Sequence, residues 1–135
     1  MAGYSGTPLW KKLGYKDGMT ALVDQPPAGY ARLLRLPADV QVTWLAAPRP
    51  GVAFVHLFTT SAARLRARLR LLLAKLDRDG VIWVSWPKQS SGVPTDITED
   101  TIREVALPTG LVDIKVCAVD ATWSGLKLMI RKELR

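Results

Sequence analysis

The feature that most constrains this chain is a strand–helix–strand pattern at its centre. Residues 53–58 (AFVHLF) and 81–86 (VIWVSW) are apolar almost throughout. Apolar runs of this length suit strands that are covered on both faces of a sheet. Between them, over residues 62–77, Leu65, Leu69, Leu72, Leu73 and Leu76 recur at helical spacing and form one apolar stripe. Ser61 stands at the N-cap position of that helix, and Asp79-Gly80 marks its expected end.

The flanking segments extend the pattern. Residues 7–14 (TPLWKKLG) predict a short helix, with Thr7 as cap, Pro8 in the first turn and Gly14 as the left-handed stop. This N-terminal helical segment, residues 1–18, is expected to pack on the domain. Residues 19–24 (MTALVD) have strand length. Residues 25–29 (QPPAG) make a turn, and residues 29–36 predict a helix that ends before Pro37. Residues 40–45 (VQVTWL) alternate and predict a strand. A polar loop over 88–96 leads to a helix capped by Asp96 or Thr98 and running to about residue 107, with Asp96 and Glu99 at capping-box spacing. Residues 111–119 and 126–132 predict two antiparallel strands. The expected architecture is a single α/β Rossmann-like three-layer domain. Its mostly parallel sheet of about six strands closes with a C-terminal antiparallel β-hairpin.

Composition narrows the function classes. A chain of 135 residues predicts one domain. The apolar runs are too short to span a bilayer, and the N-terminus does not have a signal-peptide pattern. One cysteine permits no internal disulfide, so a cytoplasmic setting is expected. One histidine and one cysteine exclude a His/Cys zinc cluster in a monomer. The net charge of +7 is uneven: residues 61–80 carry six Lys/Arg against two Asp/Glu, whereas residues 81–135 balance at seven each. A local basic surface follows.

Residues 54–135, with their central strand, long helix, Asp79-Gly80-Val81-Ile82-Trp83 strand, further helix and closing hairpin, resemble the second half of a class I methyltransferase. Three longer motifs carry a second resemblance. GYSGTPLWKKLG near the start, VSWPK at 84–88 and TDITEDTIREVALPTGLVDIKVCAVDATWSGLKLMIRK at 95–132 are similar to a family of small bacterial proteins known only as a domain of unknown function. That second resemblance implies a scaffold and no activity.

Rossmann-like sheets bind ligands beyond the C-terminal strand ends, usually over a Gly-rich turn after the first strand. Here that turn reads Asp24-Gln25-Pro26-Pro27-Ala28-Gly29, in which two prolines lack N–H donors, and no carboxylate ends the second strand at Trp44-Leu45. Neither half of an adenosine site is present, so no cofactor is expected. His56 and Cys117 read as core residues.

Two candidate sites remain. Thr59, Thr60 and Ser61, with Ser85, Trp86, Lys88 and Ser90, lie on the expected rim. They would hold a small anionic ligand, with Lys88 as counter-charge and Trp86 as packing surface; alternatively Trp86 is a core plug and the rest is solvated loop. Arg64, Arg68, Lys75 and Arg78 fall on one flank of the 62–78 helix, and Arg66 and Arg70 on the other. That ridge would meet nucleic acid or an acidic partner; alternatively it is a solvated face. The leading expectation is a non-catalytic binding or interaction protein. A divergent S-adenosylmethionine-dependent methyltransferase and a nucleic-acid binder are its rivals, and open sheet edges make a homodimer a further expectation.

Overall fold

The two central apolar runs become neighbouring parallel strands, β3 (Val52–Phe58) and β4 (Leu76–Pro87), joined by helix α3 (Ala62–Leu73). The computed structural model describes residues 6–135. The first residues of the GYSGTPLWKKLG motif therefore lie outside the described part. The remaining elements are α1 (Leu9–Leu13), β1 (Thr20–Asp24), α2 (Tyr30–Leu34), β2 (Thr43–Leu45), α4 (Glu99–Ala106), β5 (Leu111–Ala118) and β6 (Trp123–Ile130). They build one six-stranded sheet of order β2-β1-β3-β4-β6-β5. The first four strands are parallel; β6 runs antiparallel to both β4 and β5. Among the described residues no helix is long and apolar enough to cross a membrane.

Alternation along β3 from Phe54 and along β4 from Val81 sorts the core into two layers, the β3–β4 register shifting between Val52 and Phe54. Val55, Leu57, Ile82, Val84 and Trp86 face α3 and α4, where they meet Leu65, Leu69, Leu72 and Ile102. Phe54, Phe58 and Trp83 face the other way, where they meet Leu13, Tyr15, Tyr30 and Leu34 from the α1 and α2 side. The indole N–H of Trp83 donates to the Leu13 carbonyl at 2.8 Å and ties α1 to the sheet.

Several boundaries differ from those expected. Helix α3 stops at Leu73, not near Asp77, and β4 has already begun at Leu76. The leucine stripe continues through Leu76, but that residue belongs to the strand. Gly80 does not stop a helix. It sits in a bend of β4 where a Cβ would come within 2.6 Å of Leu76 Cδ1 and 2.9 Å of the Asp77 carbonyl oxygen, so only glycine fits. Strand β2 is three residues long, and α2 ends at Leu34 with Arg35 left-handed at φ 57°. Pro8, not Thr7, is the N-cap of α1. The capping box of α4 pairs Thr98 with Thr101 instead of Asp96 with Glu99, which leaves Asp96 available elsewhere.

Candidate functional site

In this sheet the chain leaves β1 to one side for β2 and returns on the other side for β3. The crevice beyond the C-terminal ends of β1 and β3 is therefore the switch point where ligands of such sheets bind. Here it is occupied by the protein's own side chains. Asp24, the last residue of β1, is nearly buried. It accepts from Arg64 Nη2 at 2.7 Å and Arg68 Nε at 2.5 Å, both from α3. Arg64 also donates to the Phe58 carbonyl at 3.3 Å. The turn after Asp24 carries Pro26 and Pro27 and ends in a helix of five residues, with Gly29 as an N-cap that makes no side-chain bond. A helix this short presents almost no aligned dipole to an anion. Replacing Asp24 by alanine would strand two half-buried guanidinium groups. We expect a loss of about 2 kcal/mol, the cost of breaking a buried pair discounted for the exposure of the arginines. It would be read as a lower urea midpoint.

On the opposite face lies a buried polar chain. The Tyr15 and Tyr30 hydroxyls meet at 2.7 Å, the Tyr30 hydroxyl meets His56 Nδ1 at 2.7 Å, and His56 Nε2 meets Ser85 Oγ at 2.7 Å. His56 and Ser85 are both 0% exposed. Two proton arrangements are self-consistent: every hydrogen points from Tyr15 towards Ser85, or every hydrogen points back. In either case the imidazole is neutral, and burial holds the His56 pKa down at about 3. Burial likewise raises both tyrosine pKa values above their ordinary range. Phe58 stacks on the His56 ring at 4.2 Å, and Trp123 packs edge-on against Phe58. Gly125 of β6 leaves the room this chain needs, since a Cβ there would stand 3.2 Å from Ser85 Oγ. Ser85, His56 and Tyr30 have the order of a nucleophile, a base and an orienting group. The serine is sealed from solvent, and the three groups satisfy one another inside the core.

The rim residues are placed as follows. Thr59 is buried, its N–H donating to the Ser85 carbonyl at 3.1 Å. Thr59 Oγ1 also accepts from the Ser61 N–H. Ser61 Oγ caps α3 by accepting from the Arg64 N–H. The Thr60 carbonyl accepts from Thr95 Oγ1 and the Asp96 N–H. The α3 N-terminus that was expected to receive an anion already has one, because the Ala62 N–H donates to Asp96 Oδ1 at 2.7 Å. Trp86 is core, packed on the α3 and α4 side. Ser85 points into the buried chain, not into a rim. Lys88 is half-buried; its N–H donates to the Thr122 carbonyl at 2.7 Å, and Ser90 is exposed beside it.

The arginine ridge also changes. Because α3 ends at Leu73, Lys75 and Arg78 are not on the helix, and Arg64 and Arg68 are spent on Asp24. The expected four-residue flank does not form. Arg66 and Arg70 instead edge a shallow groove of about 540 Å³ between α3 and α4, with Glu104 among its lining residues. Tyr15, Tyr30, Trp83 and Gly125 were not singled out by sequence. No short-range spacing joins them, since the members of the buried chain stand 15, 26 and 29 residues apart.

Comparison with known proteins agrees with this fold. Solved structures with the same fold include a SAM-dependent methyltransferase from Aquifex aeolicus. It is 15% identical over 89% of this chain and 86% of its own, with a TM-score of 0.62. Another is a Sulfolobus solfataricus protein provisionally assigned as a type 11 methyltransferase (14% identity, 84% and 85% covered, TM-score 0.57). A third is Aeropyrum pernix fibrillarin in complex with natively bound S-adenosyl-L-methionine (13% identity, 87% and 69% covered, TM-score 0.54). At these identities the likeness is one of fold: a methyltransferase-like Rossmann scaffold. No curated protein sequence matches the chain. A family profile described as "Protein of unknown function (DUF3052)" matches residues 62–132, just over half of the length, and the chain belongs to that family.

Proposed function

We propose that this chain is a non-catalytic binding protein that keeps the methyltransferase-like fold and works through its surface instead of the crevice. The observation that carries this reading is the Asp24 clamp: the carboxylate at the switch point is neutralised by Arg64 and Arg68. A cofactor would have to displace that clamp and then bind over a proline turn with few N–H donors. The reading drops an anion at the Ser61 helix start, since the Asp96 carboxylate there would repel it.

Titration calorimetry with S-adenosylmethionine and S-adenosylhomocysteine tests the proposal. No heat is expected at concentrations up to about 1 mM, equivalent to less than about 4 kcal/mol of binding. Saturable binding of either compound, weakened or strengthened by Asp24→Ala, would return the chain to the divergent methyltransferases.

A further inference from the structure

The face of the sheet that α1 covers carries a second charged feature. β6 lies inside the sheet, between β4 and β5. Its Lys127 stands directly opposite Trp83 of β4 and Lys115 of β5. Directly opposed residues share a face, and the position of Trp83 in the α1-side cluster identifies which face it is. Lys127 is half-buried and Lys115 exposed. Lys12 of α1 reaches the same strand pair, its Nζ donating to the Ala118 carbonyl at 3.4 Å, and Lys16 follows two residues after Gly14 ends α1. Burial, then repulsion from Lys115 and Lys16, holds the Lys127 pKa below the ordinary lysine range. Lys12 and Lys115 both act on the neighbouring Cys117 thiol. Four ammonium groups therefore border one patch.

Among the described residues no ion pair joins a carboxylate to Lys16, Lys115 or Lys127. Among the same residues Arg64, Arg68, Arg103 and Arg131 make ion pairs. Asp17 accepts from the Gln41 N–H, Asp113 is held by Arg103, and Asp120 caps the turn before β6. The stem of Lys127 covers apolar surface beside Trp83 while its head reaches for water, but two other uses of lysine do not account for its charge here. Lysine on an edge strand blocks unwanted pairing, which accounts for Lys115 but not for a residue of an interior strand. Lysine can also complete a helix C-terminus. Here, however, the Trp10, Lys11 and Leu13 carbonyls already accept from Gly14, Tyr15 and Trp83. A lysine across from a lysine, and half out of water, lowers stability. Positions that break a local rule without internal compensation are where function concentrates.

We propose that Lys16, Lys115 and Lys127, bordered by Lys12, form a binding site for the phosphate end of a small ligand, a terminal phosphate or diphosphate. The proposal deepens the reading above and rests on it, naming the ligand class of the binding protein. An ammonium is a compact point charge that binds phosphate oxygens, and several of them together match the multiple charge of a phosphate or diphosphate better than the single charge of a carboxylate. The lysines lie on facing positions of one strand pair and on the adjoining α1 segment, a compact group and not a line along a groove, which favours a small ligand over a nucleic-acid strand. A bound dianion would also relieve the repulsion between Lys115 and Lys127.

The test is thermal unfolding with inorganic pyrophosphate against sodium chloride of equal ionic strength, on wild type, Lys127→Gln, Lys115→Gln and Lys75→Gln as a distant control. At pyrophosphate tenfold above its Kd the wild type and the control should melt about 4 °C higher than in chloride. Both patch variants should lose most of that gain, and Lys127→Gln should melt above wild type without ligand. A wild-type gain no larger than in chloride, or one kept in both patch variants, overturns the site. Tighter binding of a short RNA than of pyrophosphate through the same lysines overturns the small-ligand assignment. These outcomes are separate from the S-adenosylmethionine titration, which tests the crevice alone.

Discussion

Urea titrations at falling pH will show the unfolding free energy dropping by about 1.4 kcal/mol for each pH unit below the ordinary histidine pKa, with the drop beginning near 6.5. The cause is His56. Folded, it stays neutral until about pH 3, because no solvent reaches its ring; unfolded, it takes up a proton near 6.5. The unfolded state therefore binds the extra proton across that window. The stability is fully present above 6.5 and is lost progressively as the pH falls towards 3. The chain has one histidine, so between pH 6.5 and about 5 no other side chain with an ordinary pKa contributes. His56→Leu should abolish the slope in that interval. At pH 7 it should also cost about 3 kcal/mol, because it leaves Ser85 Oγ buried without its histidine partner and the Tyr30 hydroxyl with only that of Tyr15. A wild type whose urea midpoint is flat from pH 7 to 5 would mean that the imidazole is reached by water.

Trp83→Ala should be the most damaging single truncation, at about 4 kcal/mol. Trp83 is the largest of the fully buried side chains, and its N–H is the tether between the sheet and α1. Trp83→Phe separates the two roles. It keeps most of the packing, leaves the Leu13 carbonyl without its donor, and should cost about 1–2 kcal/mol. Hydrogen exchange gives the decisive readout. In Trp83→Phe the amides of α1 should lose protection while those of α3 keep theirs, since α3 packs on the other face. Equal loss in both helices would mean that the two layers unfold as one unit and that the tether is not local.

Strands β3 and β4 were legible because burial on both faces leaves an unbroken apolar run, and few other structures produce one. The extent of α3 was not. Leu76 is spaced correctly for the helical stripe, and side-chain pattern alone cannot distinguish a fourth turn from the first residue of the next strand. Gly80 is equally ambiguous, since a helix stop and a bend in a strand both exclude a Cβ. The proline turn after β1 was readable from Pro26 and Pro27. What fills the crevice was not, because Asp24 meets Arg64 from 40 residues away. The placement of the rim residues was not legible for the same reason. The hydroxyls of Thr59 and Ser61 and the open end of α3 read as donors awaiting an anion until the fold brings Asp96 onto the Ala62 N–H. Period-two alternation puts His56 and Ser85 on one face only after the β3–β4 register is known.

The order of the sheet also bears on how the chain can assemble. β6 follows β5 in sequence yet lies between it and the rest of the sheet. During synthesis β5 therefore emerges with no neighbour to pair with, and β4 keeps an open edge until β6 has left the ribosome. Parallel strands joined by helices are already slow to close, because distant segments must meet before any contact repays the lost chain freedom. Here the antiparallel insertion of β6 completes both open seams in a single step. A nascent chain stalled before residue 123 should remain sensitive to protease along β4, and protection should arrive abruptly once β6 is released.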